Sequence, residues 1–159
     1  MVLLTFPIVI PKETLRSANS FTSIFPTKRP SVVKRWRLSQ YALRDFLVEY
    51  GFEVQPFSNK FEVDWLPTVT VNHKGTMLNI FCHNIKHTEK FWKIYTKDDW
   101  QENDYIALTT INNYVIEIFA VMQWGHLRDQ PKFLDREFIN TLTPERLFDI
   151  VRFSPLVKV

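Results

Sequence analysis

The sequence predicts a single α/β domain, a mixed central sheet with a long N-terminal helix and flanking C-terminal helices. Three observations lead there. Val32 to Tyr50 carries apolar side chains at three- and four-residue steps and ends at Gly51, where a left-handed residue commonly closes a helix. Phe61 to Lys86 and Tyr105 to Met122 each read as strand, turn, strand. Helical spacing returns only after Asp135, so the helices flank the strand region in the chain.

A chain of 159 residues with 45% hydrophobic and 23% charged side chains suits one folded domain with a sizeable core. We divide it into an arm (1–30), a core (31–125) and a C-terminal helical segment (126–159). Only three glycines occur, and no glycine-rich phosphate loop is present, which argues against the common nucleotide-binding enzymes. A net charge of +3 permits nucleic-acid binding without arguing for it. One cysteine excludes an internal disulfide framework and fits a reducing, cytoplasmic setting. The apolar start MVLLTFPIVIPK has no basic leader and is broken by Pro7 and Pro11, so it reads as an extended arm. The best apolar run, Tyr114 to Trp124, is short and contains Glu117, so no membrane span is expected.

In chain order, Leu3 to Ile10 reads as a strand, and Pro11 suits the first turn of a helix over Lys12 to Phe21. A breaker, Phe25 to Pro30, precedes the main helix, with Ser31 placed to cap it. On that helix Trp36, Ala42, Leu43, Phe46 and Leu47 form the apolar face, while Lys34, Arg37, Tyr41 and Arg44 fall on another. Short strands follow at Phe52 to Phe57 and Phe91 to Thr96, around a hairpin turning at Asn72 to Gly75. Tyr105 to Thr110 and Tyr114 to Met122 pair next, the second apolar on both faces and so central. Asp135 opens a short helix, and Thr143-Pro144 starts a last one reaching about Phe153.

Two acids, Glu62 and Asp64, share a strand face two residues apart, and Lys86 closes the following strand. The order helix, strand, acidic strand, strand ending in lysine resembles the restriction-endonuclease-like fold. That family sets an Asp on one strand and Glu-x-Lys or Asp-x-Lys on the next, bringing acids and lysine to a hard cation and the attacked phosphate. The resemblance implies Asp64 and Lys86 as catalytic residues, with Asp64, Glu53 and Glu62 as Mg²⁺ ligands. The position two before Lys86 is Asn84, however, an amide that supplies no charge. A divalent-metal-dependent endonuclease with a displaced acid is therefore the alternative reading, and no cofactor is expected on the preferred one. Cys82, His83, His87 and His73 offer zinc ligand types without zinc spacing, and Cys82 reads as a small buried residue at a strand end.

Between Lys28 and Arg44 lie six cations and no acid: Lys28, Arg29, Lys34, Arg35, Arg37 and Arg44, with Trp36 and Tyr41 interleaved. Cations beside aromatics can hold a phosphate backbone and stack on bases, although a charged helix face is also often only solvated. A second likeness spans the first two-thirds of the chain. Thr5-Phe6-Pro7-Ile8, Tyr41-Ala42-Leu43-Arg44-Asp45-Phe46-Leu47, Gly51, Trp65-Leu66-Pro67, Cys82, Trp100 and Tyr105-Ile106-Ala107-Leu108 resemble an uncharacterised, mainly cyanobacterial family. His83-Asn84 and Glu102-Asn103-Asp104 depart from its pattern, and it implies no activity. The expectation is a non-catalytic binding or regulatory protein whose basic helix contacts a protein partner or nucleic acid. Its 15% aromatic content leaves room for an exposed apolar patch and self-association.

Overall fold

A computed structural model describes residues 6–25, 29–57, 67–86, 89, 91–93, 104–112, 115–126 and 133–156. It is an α/β architecture in which two N-terminal helices pack on a curled, six-stranded mixed sheet, followed by short C-terminal helical turns. The strands of the sheet are β1 (Phe6–Val9), β2 (Glu53–Val54), β3 (Thr68–His73), β4 (Thr76–Asn84), β6 (Tyr105–Asn112) and β7 (Val115–Gln123). Their spatial order is β1-β7-β6-β4-β3-β2. Only β4 and β6 run parallel, and every other neighbouring pair is antiparallel. A separate two-stranded sheet joins β5 (Phe91–Lys93) to β8 (Phe133–Asp135).

The hairpin between β3 and β4 turns on Lys74 and Gly75, both at positive φ (50° and 83°), the backbone that a two-residue connection of twisted strands requires. Asn72 locks it, its side-chain oxygen accepting from Gly75 N–H at 2.9 Å. β7 lies inside the sheet between β1 and β6, and residues Ile116 and Ile118 to Met122 are buried on both faces. The ladder shifts register between Leu108 and Thr109, and the bulge bends the strand pair there.

Helix α1 (Lys12–Ile24) follows Pro11, and α2 (Pro30–Glu49) starts at Pro30 rather than at Val32 after a Ser31 cap. The proline supplies a preset φ and lacks only an N–H that would have had no partner in the first turn. No side chain caps α2; Arg29 occupies the capping position. Leu43, Phe46 and Leu47 of α2 are buried against Val69, Val71, Ile80 and Ala107 in one continuous core. Ser39 meets the Thr109 hydroxyl at 3.0 Å, which sets Thr109 and its parallel-register neighbour Asn84 on the side of the sheet that faces α2.

The C-terminal region is shorter in its helices than the spacing suggests. Asp135 caps α3 (Arg136–Asn140) by accepting from Glu137 N–H at 2.8 Å. α4 stops after Pro144–Leu147 because Phe148 leaves helical geometry (φ −121°, ψ 44°), and a 3₁₀ turn, Asp149–Phe153, takes over. The segment is tied to the end of α2, where the Ser154 hydroxyl donates to the Tyr50 carbonyl and Phe148 approaches Phe46 at 6.2 Å between ring centroids.

Gly51 closes α2 at φ 84°, with Phe52 N–H bonded to Leu47 O at 3.0 Å and Gly51 N–H to Val48 O at 2.9 Å. A methyl added here would meet Leu156 Cγ at 2.9 Å, but Leu156 is exposed and can yield, so the backbone dominates the cost. Gly51→Ala is expected to lower unfolding free energy by about 1–2 kcal/mol in urea titrations with the slope unchanged.

Candidate functional site

On α2 the positions of Lys34, Arg37, Tyr41 and Arg44 fall within about 80° of one another around the axis. The structure treats these side chains very differently. Arg37 is only 4% exposed; Lys34, Tyr41 and Arg44 are half-buried; Arg29 and Arg35 are exposed. Lys28 lies outside the described residues.

The Arg37 guanidinium lies 4.2 Å from the centroid of Phe21 on α1, 4.9 Å from Phe57 and 5.4 Å from Tyr41. Arg44 faces the same two rings from further along the helix, at 4.8 Å (Tyr41) and 5.7 Å (Phe57). Tyr41 and Phe57 are themselves 5.4 Å apart. A ring quadrupole attracts a guanidinium most where water is excluded, so this stack is stronger around Arg37 than around Arg44. Arg37 also donates to Gln40 Oε1 at 3.1 Å, and Gln40 Nε2 donates to the Thr68 carbonyl at 2.9 Å. The charge thereby joins α1, α2, the β3 entry and the segment after β2. Burial pulls the Arg37 pKa below its ordinary range while Tyr41 opposes the shift, and an arginine remains protonated throughout.

Beside Arg37, α1 and α2 enclose an open cleft of about 490 Å³. From α1 come Arg16, Ser17 and Ser20, all exposed, together with buried Phe21; from α2 come Arg37 and Tyr41. The sequence marks none of the three exposed α1 residues. Their one available signal is spacing, since Arg16 and Ser20 stand four apart on a helix and so share a face.

The second candidate region, the end of β4, is sorted by strand alternation. Cys82 and His83 are buried and, as neighbours on a strand, point to opposite faces, so they do not converge on one ligand. Thr109 donates to the His83 carbonyl at 3.1 Å, and its own carbonyl accepts from Ile85 N–H at 2.8 Å. Asn84 is half-buried; its amide nitrogen is buried and has no hydrogen-bond partner among the described residues. Lys86 is exposed just beyond the strand.

Glu53 cannot complete this corner. It pairs with Asn72, which pairs with Met77, seven residues before Asn84 on β4, a separation of roughly 23 Å along the strand. The same register sets His73, opposite Thr76, far from His83; His73 packs on Phe153 with centroids 4.9 Å apart. Among the described residues no three His, Cys, Asp or Glu side chains group as metal ligands. Asp64, Glu62 and His87 lie outside the described residues, so the acidic strand belongs to the sequence reading alone. Glu117, also singled out by sequence, is half-buried in β7 opposite Pro7 and Thr110.

Two outcomes follow from the burial at β4. Burial pushes the Cys82 thiol well above its ordinary range, so an aromatic disulfide reagent is expected to leave native protein unlabelled and to titrate one thiol after denaturation. Burial lowers His83 to about 4. Between about 6.5 and 4 the unfolded chain therefore binds the proton that the folded chain refuses, and stability falls as pH drops, by up to about 3 kcal/mol from this group. Urea midpoints at pH 7 and 5 are expected to lie closer together in His83→Gln than in the parent; equal spacing would assign the pH dependence elsewhere.

Among the described residues no helix is long and apolar enough to cross a membrane. Comparison of the chain with protein-family models, with curated proteins and with solved structures finds no match in any of the three.

Proposed function

We propose that this is a non-catalytic binding protein that contacts nucleic acid through the cationic N-terminal half of α2. The observation that carries the reading is where the cations stand. Arg29 occupies the N-cap position of α2, Lys34 and Arg35 follow within two turns, and no acid occurs on the helix before Asp45. The N-terminal end of a helix already carries partial positive charge, so cations there oppose the helix rather than stabilise it. An acidic first turn is the arrangement that favours a helix, and this helix has none. Positive charge gathered against that preference suits a polyanion, whose phosphates release counterions on contact. Arg44 adds less, because it is paired with Asp45 at 3.3 Å on the surface.

A single-stranded oligonucleotide titrated at rising salt tests this. If Arg29, Lys34 and Arg35 each meet one phosphate, log K against log salt falls with a slope of about −2. Lys34→Ala with Arg35→Ala is expected to make that slope shallower by about 1 to 2 without a change in thermal stability. Absence of binding at low salt would exclude nucleic acid and leave a protein partner.

A second reading has one observation in its favour. The chain order α2, β2, β3, β4 ends at Lys86, and β4 then pairs in parallel with β6, which agrees with the outline of a restriction-endonuclease-like domain. Against it stand Asn84 in the acid position and the distance of Glu53. Incubation of plasmid with Mg²⁺ or Mn²⁺ is expected to give no cleavage; cleavage abolished by Asp64→Ala and by Lys86→Ala would establish the nuclease instead.

A further inference from the structure

We propose that the cleft between α1 and α2 binds a small phosphate monoester, with Arg16 and Arg37 holding the phosphoryl group. The site goes beyond the polymer-binding reading and does not depend on it, because that reading rests on Arg29, Lys34 and Arg35 in the N-terminal half of α2. Chemistry, shape and order each support the assignment.

The polar residues of the cleft wall are Arg16, Arg37, Ser17, Ser20 and Tyr41, and among the described residues none that lines it is acidic. Such a wall is rich in donors. A carboxylate has two oxygens to offer it, whereas a phosphate monoester has three terminal oxygens and more charge, which suits two guanidinium forks approaching from two helices. The cleft is open, and its volume of about 490 Å³ exceeds the need of a bare ion. The remainder of the wall, Phe21, Tyr41 and the exposed Ile24, gives the organic part of the ligand apolar surface to cover.

Order matters for affinity. Arg37 forms part of the wall while being 4% exposed, and its position is fixed by Gln40 and three aromatic rings, so little side-chain entropy is lost when an anion arrives. A charge with little water around it also attracts an anion more strongly than a solvated one does. Arg16 is exposed on the opposite helix and can swing to complete the clamp, with Ser17 and Ser20 on the same wall.

The test is calorimetric titration of the full chain at low ionic strength with adenosine monophosphate, glycerol phosphate, inorganic phosphate and adenosine. The monophosphate is expected to bind and adenosine to fail. Arg16→Ala, a change at an exposed position, is expected to weaken the monoester about tenfold or more with no loss of thermal stability. Arg37→Lys keeps the charge but loses the fork, and is expected to weaken binding as well. Lys34→Ala with Arg35→Ala is expected to leave monoester affinity unchanged even where oligonucleotide binding is lost, which separates this site from the polymer surface. An end-phosphorylated oligonucleotide that outcompetes its unphosphorylated form in an Arg16-dependent way would identify a strand end as the source of the monoester; a free monoester binding more tightly than either would identify a small molecule. Failure of every phosphate compound to bind, or equal binding by Arg16→Glu, overturns the proposal.

Discussion

A guanidinium removed from water must be given other partners, and in this protein that requirement organises everything near the N-terminus. Arg37 is held by rings from α1, α2 and the segment after β2, and through Gln40 it is coupled to the backbone at the start of β3. Removing one ring would leave a buried charge with less compensation, which is costlier than removing an apolar contact of equal area. The helices cannot therefore slide relative to each other without disturbing the arginine. The cleft beside it inherits that fixed geometry, and a cation is held at its edge in a defined place.

The opposite face of α2 rests on different physics. Leu43, Phe46 and Leu47 bury apolar surface against the sheet, while Ser39 and Thr109 hydrogen-bond across the same interface. One helix thus presents an apolar and hydroxyl-bearing side to the sheet, an aromatic and guanidinium side to α1, and solvated cations at its N-terminal end. The three uses occupy different parts of one cylinder, so a binding role at the exposed end need not compromise the core. This division is why Arg35 and Arg37, two residues apart, have unrelated environments.

Much of this frame is legible in the sequence. The main helix, the hairpin at Asn72 to Gly75, the interior position of β7 and the cap at Asp135 follow from local signals that tertiary contacts reinforced. The parallel pairing of β4 with β6 was not legible, because the partners are joined by a long connection and periodicity carries no information on which strands meet. α2 starts two residues before the expected Val32, since Ser31 is a good capping residue but Pro30 fits the first helical turn equally well. The spacing of Leu147, Ile150 and Val151 suits a helix through to Phe153, and a 3₁₀ turn keeps a similar spacing over so short a run. The burial of Arg37 was the largest surprise. A cation on a helix face defaults to a solvated reading, and only Phe21 and Phe57, distant in sequence, alter it.

The contrast between the two candidate regions turns on what each leaves incomplete. At the end of β4 the strand presents the neutral amide of Asn84, and the register carries Glu53 to the far end of the strand, so among the described residues that corner gathers no carboxylates. Between α1 and α2 the imbalance has the opposite sign: arginines and hydroxyl-bearing residues line a cleft with no acid among the described residues of its wall. Electrostatics alone then ranks the two regions. With the described residues alone the corner has little hold on a metal, whereas a donor-lined cleft with one cation already fixed in place lowers the cost of receiving an anion.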